Sequence, residues 1–224
     1  MQNFINGLCL LIGAPKVGKS FFALNLGVAI AGGGEFLGHP VEQAGVLYLG
    51  LDDTPMRLKQ RIATMIKGRQ PVPEKLHLAT NWRFLGNGGE AGIEAYLQKH
   101  LEIKLIIIDP LIKLRQFSEE NYEIFNRLQN LIEKSGINIL LTHHNDDILE
   151  SISHSDETLN LVDKVLLLQR ATKGVAHLHV YENRNDERRE VLRFNAETFM
   201  WGVSDLKVGL SNGKSDKAIR KVIW

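Results

Sequence analysis

Gly13, Ala14, Pro15, Lys16, Val17, Gly18, Lys19 and Ser20 match the pattern G-x-x-x-x-G-K-[ST] in full. The pattern constrains the fold because it works only as the turn between a buried strand and a helix. Residues 8–12, Leu8, Cys9, Leu10, Leu11 and Ile12, form a short apolar run that reads as such a strand. Residues 21–30, from Phe21 onward, read as a buried helix. Glycines let the backbone turn tightly and bring several N–H groups onto phosphate oxygens. The helix starting at Gly18 and Lys19 turns its positive dipole end toward the same point. Lys19 adds a full positive charge, and the Ser20 hydroxyl offers an oxygen ligand to Mg²⁺. Nucleotide binding is therefore the first expectation.

Strand and helix signals alternate through the rest of the chain, which implies an α/β fold with a mainly parallel, twisted sheet flanked by helices. Further strands are expected at 45–51, 76–78, 104–109 and 137–142, and helices at 57–67, 93–100, 122–135 and, briefly, 158–163. Residues 86–92 read as a glycine-rich connection. Residues 164–168, 177–181 and 190–194 read as strands of an antiparallel C-terminal edge. No internal linker is visible, so residues 1–205 are expected to form one domain and 206–224 a polar, basic tail.

Composition is that of an ordinary soluble domain: 224 residues, 44% hydrophobic and 24% charged, enough for one large core. A net charge of +1 provides no global basic field for nucleic acid or an anionic membrane. Cys9 is the only cysteine, which excludes a disulfide framework and points to a reducing, cytoplasmic setting. No apolar run approaches the length of a membrane span, and Met1, Gln2, Asn3 and Phe4 do not begin a signal peptide.

Asp109 ends the most apolar strand, about 90 residues after the phosphate loop. Ligands of such sheets lie beyond the carboxyl ends of the strands, where this carboxylate could share Mg²⁺ with Ser20. Asp52 and Asp53 end another strand. They are either a solvated strand terminus or the source of a base that orients attacking water. His143 and His144 are adjacent on a strand, point to opposite faces, and do not make a metal pair. His177 and His179 read as surface side chains, and Trp82 and Trp201 as packing residues.

The phosphate loop, the strand ending at Asp52 and Asp53, Leu58 and Arg61, the strand ending at Asp109 and Pro110, and the strand ending at His143 and His144 together resemble RecA-like P-loop ATPases. A strand-end acid followed six residues later by Leu and nine later by Arg is similar to the RepA-like hexameric helicase family, with DnaB-type helicases more distant. The resemblance implies ATP and Mg²⁺ as ligands. It implies nucleotide contacts from the whole loop, Gly13 to Ser20, and from Phe21, with Lys19 also catalytic. Asp52 falls at the place of the family's catalytic Glu, and His143 or His144 at that of a γ-phosphate sensor. Arg184 falls near a residue that reaches a neighbouring subunit's ATP. A homo-oligomeric ring or filament, often a hexamer, with single-stranded DNA through its centre, is the family's working form.

Three departures from that pattern bear on function. Asp52 is one methylene shorter than Glu, and a misplacement of about an ångström can cost about a hundredfold in rate. Glu182 stands two residues before Arg184, where a basic residue is usual. Residues 145–158 contain Asp146, Asp147, Glu150, Asp156 and Glu157 and no Lys or Arg, where the family helps to hold DNA. Polynucleotide affinity comes largely from cations on phosphates, so this acidic loop disfavours a DNA strand. The sequence thus implies an ATPase of a replication or mobile-element system, with helicase activity as an extension. The alternative is a nucleotide-dependent switch or assembly module, weak in hydrolysis, acting on a protein partner.

Overall fold

The computed structural model of the chain describes residues 5–67, 71–115, 121–144, 161–182 and 186–204. Apolar strand β1 (Leu8–Gly13) runs into the phosphate loop and then helix α1 (Lys19–Gly32). A small hairpin of β2 (Glu35–Phe36) and β3 (His39–Pro40) follows. Next come β4 (Gly45–Gly50), α2 (Pro55–Ile66), β5 (Leu76–Ala79), α3 (Gly89–Lys99) and β6 (Ile103–Asp109). A 3-10 turn (Leu111–Lys113), α4 (Asn121–Ser135) and β7 (Asn138–His144) lead to β8 (Lys164–Thr172), β9 (Val175–Glu182), β10 (Asp186–Asn195) and β11 (Met200–Val203).

Nine strands make one sheet in the order β11-β10-β9-β8-β1-β7-β6-β4-β5. Strands β5, β4, β6, β7, β1 and β8 are parallel, and β9, β10 and β11 continue antiparallel from β8. The fold is therefore α/β, largely parallel, with an antiparallel C-terminal edge. Its strand β8 belongs to both parts, pairing parallel with β1 and antiparallel with β9.

The side-chain alternation of each strand divides the core in two. Cys9 and Leu11 of β1 and Leu140 of β7 pack on the face carrying α1 and α2. Leu8, Leu10, Ile12, Ile139 and Leu141 pack on the face carrying α3 and α4. Helix α1 is buried along nearly its whole length, because it packs against the sheet, including its edge strand β11, and against β2 and α2. That is why it reads as apolar all round rather than as one stripe. It ends at Gly33, whose φ of 68° is the left-handed cap that glycine adopts without a Cβ penalty.

Two elements begin earlier than their apolar pattern suggests. Helix α2 starts at Pro55 because the Thr54 hydroxyl accepts from the Arg57 N–H at 3.2 Å and Pro55 occupies the first turn. Helix α3 absorbs Gly89 and Gly92 from the expected glycine-rich connection. A Cβ on Gly89 would stand 2.6 Å from the carbonyl oxygens of Arg83 and Phe84, so this close turn requires glycine. The expected helix at 158–163 lies largely outside the described residues, as do the acidic loop and the C-terminal tail. Residues 161–163 form a turn into β8. His179 corrects the surface expectation: it is buried and stacks with Tyr181 at 6.3 Å between ring centroids. Among the described residues no helix is long and apolar enough to cross a membrane.

Candidate nucleotide site

The phosphate loop leaves the carboxyl end of β1, and the chain then crosses over β7 and β6 before re-entering the sheet at β4. Lys16 (φ 61°) and Gly18 (φ 108°) are left-handed, which helps curl the loop's N–H groups into a concave, anion-accepting surface. Val17 packs inward, and its N–H closes the turn on the Ala14 carbonyl at 3.3 Å. The Lys19 ammonium lies across the loop mouth, donating to the carbonyls of Gly13 at 2.6 Å and Ala14 at 3.1 Å.

The Asp109 carboxylate is held by three hydroxyls from three elements. Ser20 donates from α1 at 3.1 Å, Tyr48 from β4 at 2.7 Å, and Thr142 from β7. Burial, reinforced by the neighbouring Asp109 charge, pushes the Tyr48 hydroxyl well above its ordinary range, so it remains a donor. The sequence reading missed Tyr48 and Thr142. Their signal was available in outline, as polar tips near the carboxyl ends of apolar strands flanking Asp109.

Asp52 and Asp53 separate completely in environment. The Asp52 side chain is 68% exposed and meets the Lys113 ammonium at 3.1 Å. Asp53 turns inward, 6% exposed, against Arg61, with Arg57 at 3.5 Å. Burial pushes the Asp53 carboxyl up, while Arg61 and Arg57 pull it back. Arg61 also lies over the Phe21 ring, 5.0 Å from its centroid. Of the two acids, only Asp52 borders the cleft.

That cleft, of about 330 Å³, gathers Lys16, Lys19, Ser20, Asp52, Asp109 and Thr142 around one space, with Phe21 and Arg61 at its border. An adjoining cleft of about 590 Å³ begins at Phe21 and Arg61 and extends to Phe199. The donor set fits the expected ligands. Ser20 and Asp109 are the hard oxygen donors that Mg²⁺ takes, and the loop amides with Lys19 suit a polyphosphate.

Not every expected residue arrives. His143 is buried on the α3/α4 side of β7, in register with Ile12, and Thr142 faces the cleft instead. The strand alternation that ruled out a histidine metal pair also turns His143 away from the phosphates. The His144 backbone pairs with Gly13 at the strand end; its side chain, like Arg184, lies outside the described residues. Glu182 does not present a loose negative charge. Burial pushes its carboxyl up, but Lys164 and then Arg188, each at 3.0 Å, outweigh this and hold it below the ordinary range.

The C-terminal extension braces the loop from outside. The Trp201 indole N–H donates to the Gly18 carbonyl at 3.3 Å, and the Arg170 guanidinium donates to the Lys16 carbonyl. Gly13 has no room for a Cβ, which would stand 2.4 Å from the Leu168 carbonyl oxygen. Asn25, buried in α1, clamps β11 by accepting the Trp201 backbone N–H at 2.8 Å and donating to the Phe199 carbonyl at 3.0 Å.

Sheet order, phosphate loop and the strand-end Asp109 together define a RecA-like P-loop ATPase fold. The chain belongs to the AAA domain family, whose match covers residues 1–146. No curated protein matches it. Among solved structures it is similar to the KaiC-like protein PH0186 of the hyperthermophilic archaeon Pyrococcus horikoshii, with 16% identity and a TM-score of 0.62 over 89% of this chain and 90% of that one. It is also similar to the flagellar accessory protein FlaH of Methanocaldococcus jannaschii, with 13% identity and a TM-score of 0.64 over 90% of this chain and 91% of that one. At such identities the likeness is one of fold.

Proposed function

We propose that this protein binds ATP with Mg²⁺ and hydrolyses it, as a RepA-like ATPase of a replication or mobile-element system. The observation that supports this reading is the convergence of Lys19, Ser20, Asp52 and Asp109 on one cleft. Loop amides from Gly13 to Ser20 and the Lys19 ammonium hold the phosphates. Ser20 and Asp109 hold Mg²⁺, with Tyr48 and Thr142 fixing the carboxylate. Held there, Mg²⁺ would supply charge neutralisation at the transferring phosphate. Asp52 orients the attacking water from the open side, and the adjoining cleft past Phe21 has space for the nucleoside. The oligomeric form implied by the resemblance, a ring or filament with Arg184 acting in trans, would show as a larger species on sizing with ATP and Mg²⁺.

The test is nucleotide binding by purified Lys19→Ala. Affinity should fall at least about a hundredfold, in line with losing a charge-assisted contact in a low-dielectric site. Unchanged affinity overturns the assignment.

A second reading, of a slow switch acting on a protein partner, is favoured by the Asp52–Lys113 ion pair. A carboxylate engaged by a lysine is less available to position a water. Asp52→Asn should lower turnover about a hundredfold if Asp52 is the base. Lys113→Ala separates the readings: turnover rises several-fold if the pair restrains hydrolysis and stays level if the pair is only a surface contact. DNA translocation further requires single-stranded DNA binding that weakens steeply with salt, and its absence would leave the ATPase standing without the helicase role.

A further inference from the structure

At the other end of the sheet, remote from the nucleotide cleft, three metal-ligating side chains converge. His77 comes from edge strand β5, His100 from the C-terminal cap of α3, and Glu102 from the turn into β6. One ligand atom from each lies within 4.8 Å of the others. A single carboxylate oxygen, Glu102 Oε1, lies 3.2 Å from His77 Nε2 and 3.4 Å from His100 Nδ1. A tetrahedral ion with ligand bonds of about 2.0–2.1 Å separates its donors by about 3.3 Å. Both carboxylate–imidazole spacings therefore already suit an ion placed between the three groups.

We propose that His77, His100 and Glu102 bind one Zn²⁺, with water completing the tetrahedron. Two imidazole nitrogens and one carboxylate suit zinc and exclude Mg²⁺ or Ca²⁺ as the preferred ion, since those take oxygen ligands. The side chains are 16%, 34% and 40% exposed, which leaves an entry path and an open fourth position.

The surroundings are built to orient the ligands. The Tyr96 hydroxyl meets His77 Nδ1 at 2.9 Å, the outer contact that metal-binding histidines use to aim the other nitrogen. The Tyr96 ring packs against the His100 ring at 4.3 Å between centroids. The turn itself is pinned: the Gly45 N–H donates to the Glu102 carbonyl at 2.8 Å, and Gly45 has no room for a Cβ there. A bound ion would staple edge strand β5 to the α3–β6 corner. The histidines escaped the sequence reading because the rest of a strand, a loop and a helix separate them in the chain.

The experiment uses the untagged full chain, stripped with a chelator. Zn²⁺ is titrated in competition with a chromophoric chelator, and Co²⁺ by visible absorption. One zinc per chain and the intense bands of tetrahedral Co²⁺ are expected. His100→Gln and Glu102→Gln should each weaken zinc at least tenfold, and Tyr96→Phe about tenfold, with circular dichroism unchanged. Asp109→Asn, which disables the nucleotide-site metal, should retain the zinc. The proposal is overturned if the wild type takes up no stoichiometric zinc, or if His100→Gln and Glu102→Gln bind it as tightly as wild type. Either result would leave a cluster joined by hydrogen bonds alone.

Discussion

The phosphate loop is supported from two sides of opposite character. Inside, β1, β6, β7 and α1 surround it with apolar packing and converge Ser20 and Asp109 at the strand ends. Outside, β8 and β11 touch it at a few points: Trp201 donates to Gly18, Arg170 donates to Lys16, and the Leu168 carbonyl closes the space beside Gly13. The inner support is continuous and tolerant of small volume changes. The outer support rests on single groups contributed from 154 and 183 residues away. It follows that the loop's chemistry is assembled by the parallel core from β1 to β7, while its conformation also depends on the strands that follow.

Trp201→Ala should break the outer support most severely. The indole is 6% exposed, and removing such a side chain costs about 3–5 kcal/mol. A fall in melting temperature of roughly 10 °C is expected for a chain of this size. Nucleotide affinity should also weaken, since the Gly18 carbonyl loses its donor. A melting shift with affinity unchanged would reduce the extension to scaffolding.

Glu182→Ala tests the ion pair that joins β8 and β9. The Lys164 side chain is only 1% exposed, so removing its partner should cost about 3 kcal/mol. The pH dependence has a definite sign. The folded carboxyl lies below its ordinary 4.5, so its contribution is present above pH 4.5 and fades as pH falls through the folded value. Wild type and Glu182→Gln should therefore differ at neutral pH and converge in acid. Parallel acid-unfolding curves would count against the pair.

Arg170→Ala should have the smallest effect. Its contact with the Lys16 carbonyl is exposed, so a stability loss of about 1 kcal/mol or less is expected. A larger change in ATP affinity than in stability would sharpen the view that the extension sets the loop's shape.

Much of this was legible beforehand, for particular reasons. The parallel sheet, the phosphate loop, Asp109 and the packing role of Trp201 follow from local runs and spacing. Strand-end position alone did not separate Asp52 from Asp53, and only the family resemblance singled out Asp52, because their exposure is set by where Arg61 and Lys113 arrive. His143 seemed a site residue only from its place at a strand end; the pleat turns it to the other face and presents Thr142. Glu182 looked like a misplaced charge until Lys164 and Arg188 closed around it. Asn25 is a polar residue in a buried helix whose two partners, Phe199 and Trp201, lie just before and within β11.

By itself the sequence determined most of the elements, though not the β2–β3 hairpin or β11, and the anion-binding turn, because hydrophobic periodicity and glycine sterics act over a few residues. Tertiary structure alone decided which hydroxyls hold Asp109, which acid faces the cleft, what braces the loop, and that His77, His100 and Glu102 meet. Those outcomes depend on sheet order and register, which bring together groups far apart in the chain, and no local pattern encodes that distance.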